Sequence, residues 1–223
     1  MKFILECDGV VLDPGPQYWA AYSTACEPLG LPRLDRAAFW RAVRRGIAEG
    51  QLVRGAKPAQ LVEFSRRYRE ALDSESAVAT MAPLSDVAVS LTALGNHGPC
   101  YLISSGPNRQ KRQDLLDAHD LAIHFTRMKA LSDDRGARTA QLTHLAESDP
   151  RCVAACASPS MILAAEEADL FAVGVASGAC SAARLTQAGA RCVFADPSEL
   201  AESIASGARQ LVAAGLVPAT GSY

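Results

Sequence analysis

The chain lacks a charge of either sign in excess. Its 22 Lys and Arg stand against 24 Asp and Glu, a formal net charge of −2 over 223 residues, so there is no basic footprint for nucleic acid and no acidic tail. It also lacks any run near the roughly 18 consecutive apolar residues that a membrane-spanning helix needs. Nothing near Met1 has the form of a secretory leader with a cleavage site. Paired cysteine spacing is missing as well. The seven cysteines, at 7, 26, 100, 152, 156, 180 and 192, are odd in number and form no Cys-x-x-Cys pair of the zinc-site kind. Several lie in apolar runs, where a free cysteine packs as a small hydrophobe, which points to buried reduced thiols in a reducing compartment. Repeats and low-complexity tracts are absent too. With 49% apolar and 21% charged residues, the chain can build a core and is not disordered. The expectation is a soluble, cytoplasmic globule of one large domain or a domain with an insert.

What is present is an alternation of strands and helices. An apolar run at 2–5 ends in Glu6-Cys7-Asp8-Gly9, a strand leading into a turn, and Pro14-Gly15-Pro16 then breaks the chain. Residues 17–80 read as helices only. Tyr18-Trp19-Tyr22, Phe39-Trp40-Val43-Ile47 and Leu61-Val62-Phe64-Tyr68-Leu72 recur at helical spacing with Arg and Glu opposite. Beyond Pro83 the pattern predicts helices near 84–95, 107–118, 136–147, 159–168, 179–188 and 198–214. Strands are expected at 100–103, 152–156, 171–175 and 192–195, with a short extended piece at 123–125. Such alternation implies βαβ units and a parallel sheet. Ligands in these sheets bind beyond the carboxyl ends of the strands, so the residues that close each strand carry the functional argument.

The first strand closes on Glu6-Cys7-Asp8-Gly9-Val10-Val11-Leu12-Asp13 and the second on Ile103-Ser104-Ser105-Gly106-Pro107-Asn108. These resemble, in order, the opening Asp-x-Asp-Gly motif and the Ser/Thr-ending second motif of the haloacid dehalogenase superfamily. Leu170 to Gly178, Leu185 to Ala190 and Asp196 to Leu200 are similar to later segments of its phosphoglycolate-phosphatase-like branch. The resemblance implies an α/β fold, a Rossmann-like parallel sheet core at 1–15 and 83–223 with an inserted all-helical cap at 16–82. In active members it implies an aspartyl-phosphate mechanism. The first Asp is the nucleophile, the second the general acid, a Ser or Thr and a Lys hold the phosphoryl oxygens, and magnesium sits on acids of the first and fourth motifs.

Carried over residue by residue, the nucleophile position is Glu6, whose extra methylene moves the carboxylate by roughly 1.5 Å, where about 1 Å of misplacement can cost on the order of a hundredfold. Asp8, Gly9 and Asp13 are retained. Ser104, with Ser105 beside it, keeps the phosphate hydroxyl. Ala137 stands where the lysine belongs. Arg138 is the candidate phosphate cation in its place, against a plain solvent-facing arginine, and Lys129 is a further candidate. The fourth-motif acids are replaced by Ala157 and Met161. The next acids, Glu166 and Glu167, lie about 13 Å along a helix axis from Ala157. The expectation is therefore a degenerate pseudo-phosphatase, without a metal site or other cofactor, that binds a small phosphorylated ligand or a protein partner. The alternative is an atypical phosphatase working through Glu6 and Asp8, with magnesium only in that case. Cys7 and Cys156 would close neighbouring strands, yet small buried residues are the expected role. The aromatics of 18–40 read as cap core, and Arg41, Arg44, Arg45, Arg66, Arg67 and Arg69 as solvated helix faces.

Overall fold

The computed structural model describes residues 1–147, 151–207 and 209–213. Its centre is β1 (Lys2–Glu6), all five residues of which are buried. A parallel strand covered on both faces has to be a nearly continuous apolar run, and Phe3-Ile4-Leu5 supplies one. The strand has two exceptions, Lys2 and Glu6, one at each end, and Lys2 is 6% exposed. Its ammonium donates to the carbonyl oxygens of Leu145 (2.9 Å) and Ala146 (3.2 Å) and pairs with Glu147. It thereby satisfies carbonyls that the end of a helix leaves open.

After β1 comes one tight turn, α1 (Cys7–Val10), in which Asp8 leaves helical geometry and Gly9 takes φ +91°. The chain continues through β2 (Leu12–Asp13), then the helices α2 (Gly15–Cys26), α3 (Arg36–Arg45), α4 (Pro58–Leu72) and α5 (Glu75–Val78), and returns at β3 (Ala82–Pro83). β2 and β3 pair antiparallel, Leu12 with Pro83 and Asp13 with Ala82, so the helical segment leaves and re-enters through a two-stranded stem. Alternation follows: α6 (Val87–Gly95), β4 (Cys100–Ser104), α7 (Arg109–Ala118), β5 (Arg127–Ala130), α8 (Arg135–Ala146), β6 (Cys152–Cys156), α9 (Pro159–Glu167), β7 (Phe171–Val175), α10 (Ala182–Gln187), β8 (Cys192–Phe194), α11 (Pro197–Ala205) and α12 (Arg209–Ala213).

The sheet has six strands in the order β5-β4-β1-β6-β7-β8, and every pairing is parallel. Side chains alternate across it. Phe3, Leu5, Leu102 and Val153 pack with Leu91 of α6, Leu116 of α7 and Leu200 of α11. Ile4, Ile103 and Ala154 pack on the opposite face with Leu142 of α8, Ile162 of α9 and Leu185 of α10. This is the Rossmann-like three-layer α/β arrangement. The helical segment holds a third cluster of its own around Tyr22, Phe39, Phe64 and Tyr68, with Tyr22 stacked on Phe39 at 4.4 Å between ring centroids.

Two expectations need correcting. The extended piece expected at 123–125 is a short 3-10 turn at Ala122–His124, and the edge strand lies later, at Arg127–Ala130. Its short, charged sequence hides the period-two signal. The single helix expected at 198–214 is two, because Gly207 takes φ +63° after Ala205; positions 208 and 214 lie outside the described residues. Six of the seven cysteines are buried, and Cys192 is half-buried.

Candidate functional site

β1 lies between β4 and β6, where the strand order reverses direction, and its carboxyl end therefore opens a crevice. A cavity of about 260 Å³ lies there, lined on the sheet side by Glu6, Asp8, Ser105 and Ser158, and on the helical side by Gln17, Tyr18 and Asp73. The turn that presents these groups depends on close approach. A Cβ on Gly9 would fall 2.6 Å from the Ala157 Cβ and 2.8 Å from the Gly178 Cα, and one on Gly178 would fall 2.9 Å from the Gly9 Cα. The Ser177 hydroxyl pins the turn by donating to the Gly9 carbonyl oxygen at 2.6 Å.

Glu6 is 6% exposed, and both its carboxyl oxygens are engaged. Oε2 accepts the backbone N–H of Ala157 at 2.7 Å and of Ser158 at 3.1 Å. Oε1 accepts the Ser158 hydroxyl at 2.8 Å. The longer side chain thus reaches across into the loop between β6 and α9, the loop in which the resemblance places the metal acids. Burial raises the Glu6 carboxyl from its ordinary 4.5 to about 7, with the Ser158 hydroxyl and the Ala157 N–H opposing the rise and Asp8 adding to it.

Asp8 is held differently. The Arg112 guanidinium grips it with two nitrogens, Nε to Oδ1 at 2.8 Å and Nη2 to Oδ2 at 2.6 Å, while Nη1 donates to the Pro107 carbonyl at 2.6 Å. Arg112 is 5% exposed. Burial works against its cation, but the pair with Asp8 more than offsets this and its pKa is raised. A forked guanidinium pair is among the strongest hydrogen-bonded arrangements available to a carboxylate. Sequence reasoning missed Arg112. It sits on the buried face of α7, 104 residues from Asp8, and no local spacing marks it.

The remaining expected site residues divide. Ser105 lines the cavity with Glu6 and Asp8. Ser104 does not: it shares the sheet face of Leu102 and lines a separate cavity with Lys129. Arg138 does not line the Glu6 cavity, and it is not a solvent-facing side chain. It is 8% exposed and folds back on its own loop, donating to the carbonyl oxygens of Ser132 and Asp133 at 3.0 and 3.4 Å. Asp133 itself lines the cavity, so an acid stands near where a cation was expected. Glu166 and Glu167 pair with Arg191 and Arg135 and take no part. Cys7 and Cys156 do close neighbouring strands, but burial raises both thiols well above their ordinary value, which suits packing and not nucleophilic attack.

Magnesium is the ion that the resemblance implies, and the donor set does not fit it. Magnesium needs several hard oxygen ligands in octahedral geometry. Ala157 and Met161 offer no side-chain oxygen, and Met161 packs in the core beside Ile162. Glu6 and Asp8 already spend their oxygens on N–H, O–H and guanidinium donors. Among the described residues, no group of three or more His, Cys, Asp or Glu is placed to hold a metal. A phosphate dianion meets a similar difficulty. Glu6, Asp8, Asp73 and Asp133 line the cavity, while its lining cation, Arg112, is committed to Asp8.

No protein-family model matches the sequence, and no curated protein matches it significantly. Solved structures do resemble the fold. A haloacid dehalogenase-like hydrolase family protein from Streptococcus pneumoniae superposes with a TM-score of 0.68 at 16% identity, covering 89% of this chain and 95% of that one. A predicted phosphoglycolate phosphatase from Haemophilus somnus gives 0.62 at 15% identity, covering 90% and 96%. A hydrolase from Pseudomonas syringae gives 0.61 at 20% identity, covering 92% and 99%. The chain has the haloacid dehalogenase-like hydrolase fold along nearly its whole length.

Proposed function

We propose that this chain is a non-hydrolysing protein of the haloacid dehalogenase-like fold, a pseudo-phosphatase. Its core, 1–15 and 83–223, and its cap, 16–82, enclose a binding cavity instead of a phosphoryl-transfer site. The observation that carries this reading is the engagement of the Glu6 carboxylate by Ala157 and Ser158. In-line attack needs a free carboxylate oxygen and compensation for the charge developing on phosphorus. Here both oxygens accept hydrogen bonds that hold the carboxyl toward the loop after β6, and the groups that would compensate the charge are replaced by Ala137, Ala157 and Met161. Of the two occupants expected from the sequence, a small phosphorylated ligand and a protein partner, the charge of the lining supports the protein partner.

The test is hydrolysis of an aryl phosphate and a set of sugar phosphates, with and without magnesium. The expected result is no turnover above a heat-inactivated control, unchanged by Glu6→Ala. Metal-dependent turnover that disappears in Glu6→Ala would overturn the reading in favour of a phosphatase using Glu6 and Asp8.

A further inference from the structure

On the sheet face opposite Ile4, between α7 and the strands β4 and β5, lies a second cavity of about 360 Å³, within the usual range for small-molecule sites. Its floor is apolar, built from Leu102, Leu116 and Met128. Its rim carries two cations, Arg109 and Lys129. Among the described residues neither has an ion pair, whereas the arginines of α4 are paired with glutamates. The Ser104 hydroxyl lines the same cavity, and its oxygen is buried without any hydrogen-bond partner. A buried hydroxyl left unsatisfied costs free energy, and one beside two unneutralised cations is satisfied by donating to an anionic oxygen.

We propose that this cavity is a binding site for a small organic oxyanion, a carboxylate or phosphate ester on an apolar body. Its anionic group lies among Arg109, Lys129 and the Ser104 hydroxyl, and its apolar part rests on Met128 and Leu116. The site is independent of whether the Glu6 cavity hydrolyses anything. It is nonetheless joined to that cavity, because Arg112 lines both. An anion arriving on the Arg109 side draws on the guanidinium that holds Asp8, so occupancy of one cavity is felt in the other.

The experiment is a titration of the full chain, followed by calorimetry and amide and methyl chemical shifts, with phenyl phosphate, benzoate and inorganic phosphate as separate probes. The two aromatic anions separate a phosphate-ester from a carboxylate preference, and saturable binding by either supports the proposal. Shifts should centre on Met128, Lys129 and Arg109, with a smaller response at Asp8. The double variant Arg109→Met, Lys129→Met should weaken binding by about tenfold or more, the scale of losing a charge-assisted hydrogen bond, and Ser104→Ala by several-fold. Both variants should melt like the parent, because the two cations carry no ion pair in the fold and the hydroxyl has no partner. Arg54→Met, which removes an exposed cation of the helical segment that lines neither cavity, serves as the control and should leave the affinity unchanged. The proposal is overturned if neither aromatic anion saturates, if the double variant binds as the parent does, or if the shifts map to Tyr18 and Gln17. Equal affinity for inorganic phosphate would overturn the apolar half of the site.

Discussion

Glu6 and Asp8 are two carboxylates two residues apart with opposite fates, and the difference is what each one meets. Asp8 meets a guanidinium, whereas Glu6 meets a buried loop end with three neutral donors. A carboxyl raised to about 7 in the fold, against 4.5 in the unfolded chain, binds its proton more tightly when folded. Between those values the unfolded chain has released a proton that the native state keeps, so stability falls as pH rises through the window, by an amount on the order of 3 kcal/mol. Glu6→Gln, which keeps the neutral shape, should remove most of that slope. Urea unfolding at about pH 5 and about pH 8 checks it, and an unchanged slope in the variant would show that Glu6 is not the group responsible. For Arg112→Met the expected cost is on the order of 3 kcal/mol, because Asp8 is left partly buried without its counter-charge. These two residues also mark how far the site was legible. Glu6 could be read as a departure from the opening motif, but its partners could not, since they lie 151 and 152 residues away.

At the level of elements, the turn after β1 and the aromatic core of the helices are the least replaceable parts. Gly9→Ala would need a side chain at φ +91° and a Cβ 2.6 Å from that of Ala157. The expected loss is at least about 1–3 kcal/mol, accompanied by displacement of Asp8 and measurable by thermal unfolding and amide shifts of the turn. In the helical segment, the buried Tyr22 hydroxyl donates to the Leu52 carbonyl and accepts the Leu34 N–H, both at 3.0 Å. It ties two irregular connections to α2. The helices themselves were readable from apolar spacing, because a helix face is set by residues three and four apart. The edge strand β5 was not: Arg127-Met128-Lys129-Ala130 owes its strand conformation to the free edge of β4 and not to its own pattern.

Across the whole molecule, the aromatic cluster of the helical segment is separate from the sheet core, which Val78 and Met81 join, and polar contacts fasten the two parts as well. Arg44 Nη2 donates to the Ala176 carbonyl at 2.5 Å, the Ser181 N–H donates to the Arg44 carbonyl at 3.0 Å, and the Asn108 amide donates to the Asp73 carbonyl. Arg44, read from sequence as part of a solvated basic face, is thus a tether. Arg44→Ala is expected to speed amide exchange in α3 and the connection that follows it while leaving β1, β4 and β6 as protected as before. Equal loosening of the central strands would show that the two parts unfold as one unit.

The near-neutral charge and the absence of long apolar or disulfide-rich segments were properties of composition. The order of strands and helices, and the departures from the resembled motifs at Glu6, Ala137, Ala157 and Met161, followed from local pattern and motif order. Those features are written in neighbouring residues, and sequence by itself determined them. Only the tertiary structure decided that Arg112 closes on Asp8, that Glu6 is captured by the loop after β6, that Arg138 turns into its own loop, and that Ser104 faces a different cavity from Ser105. Each outcome depends on which strand lies beside which and on the side of the sheet that a residue faces. Parallel pairing joins strands that are distant in sequence, so these outcomes are not written in any stretch of neighbouring residues.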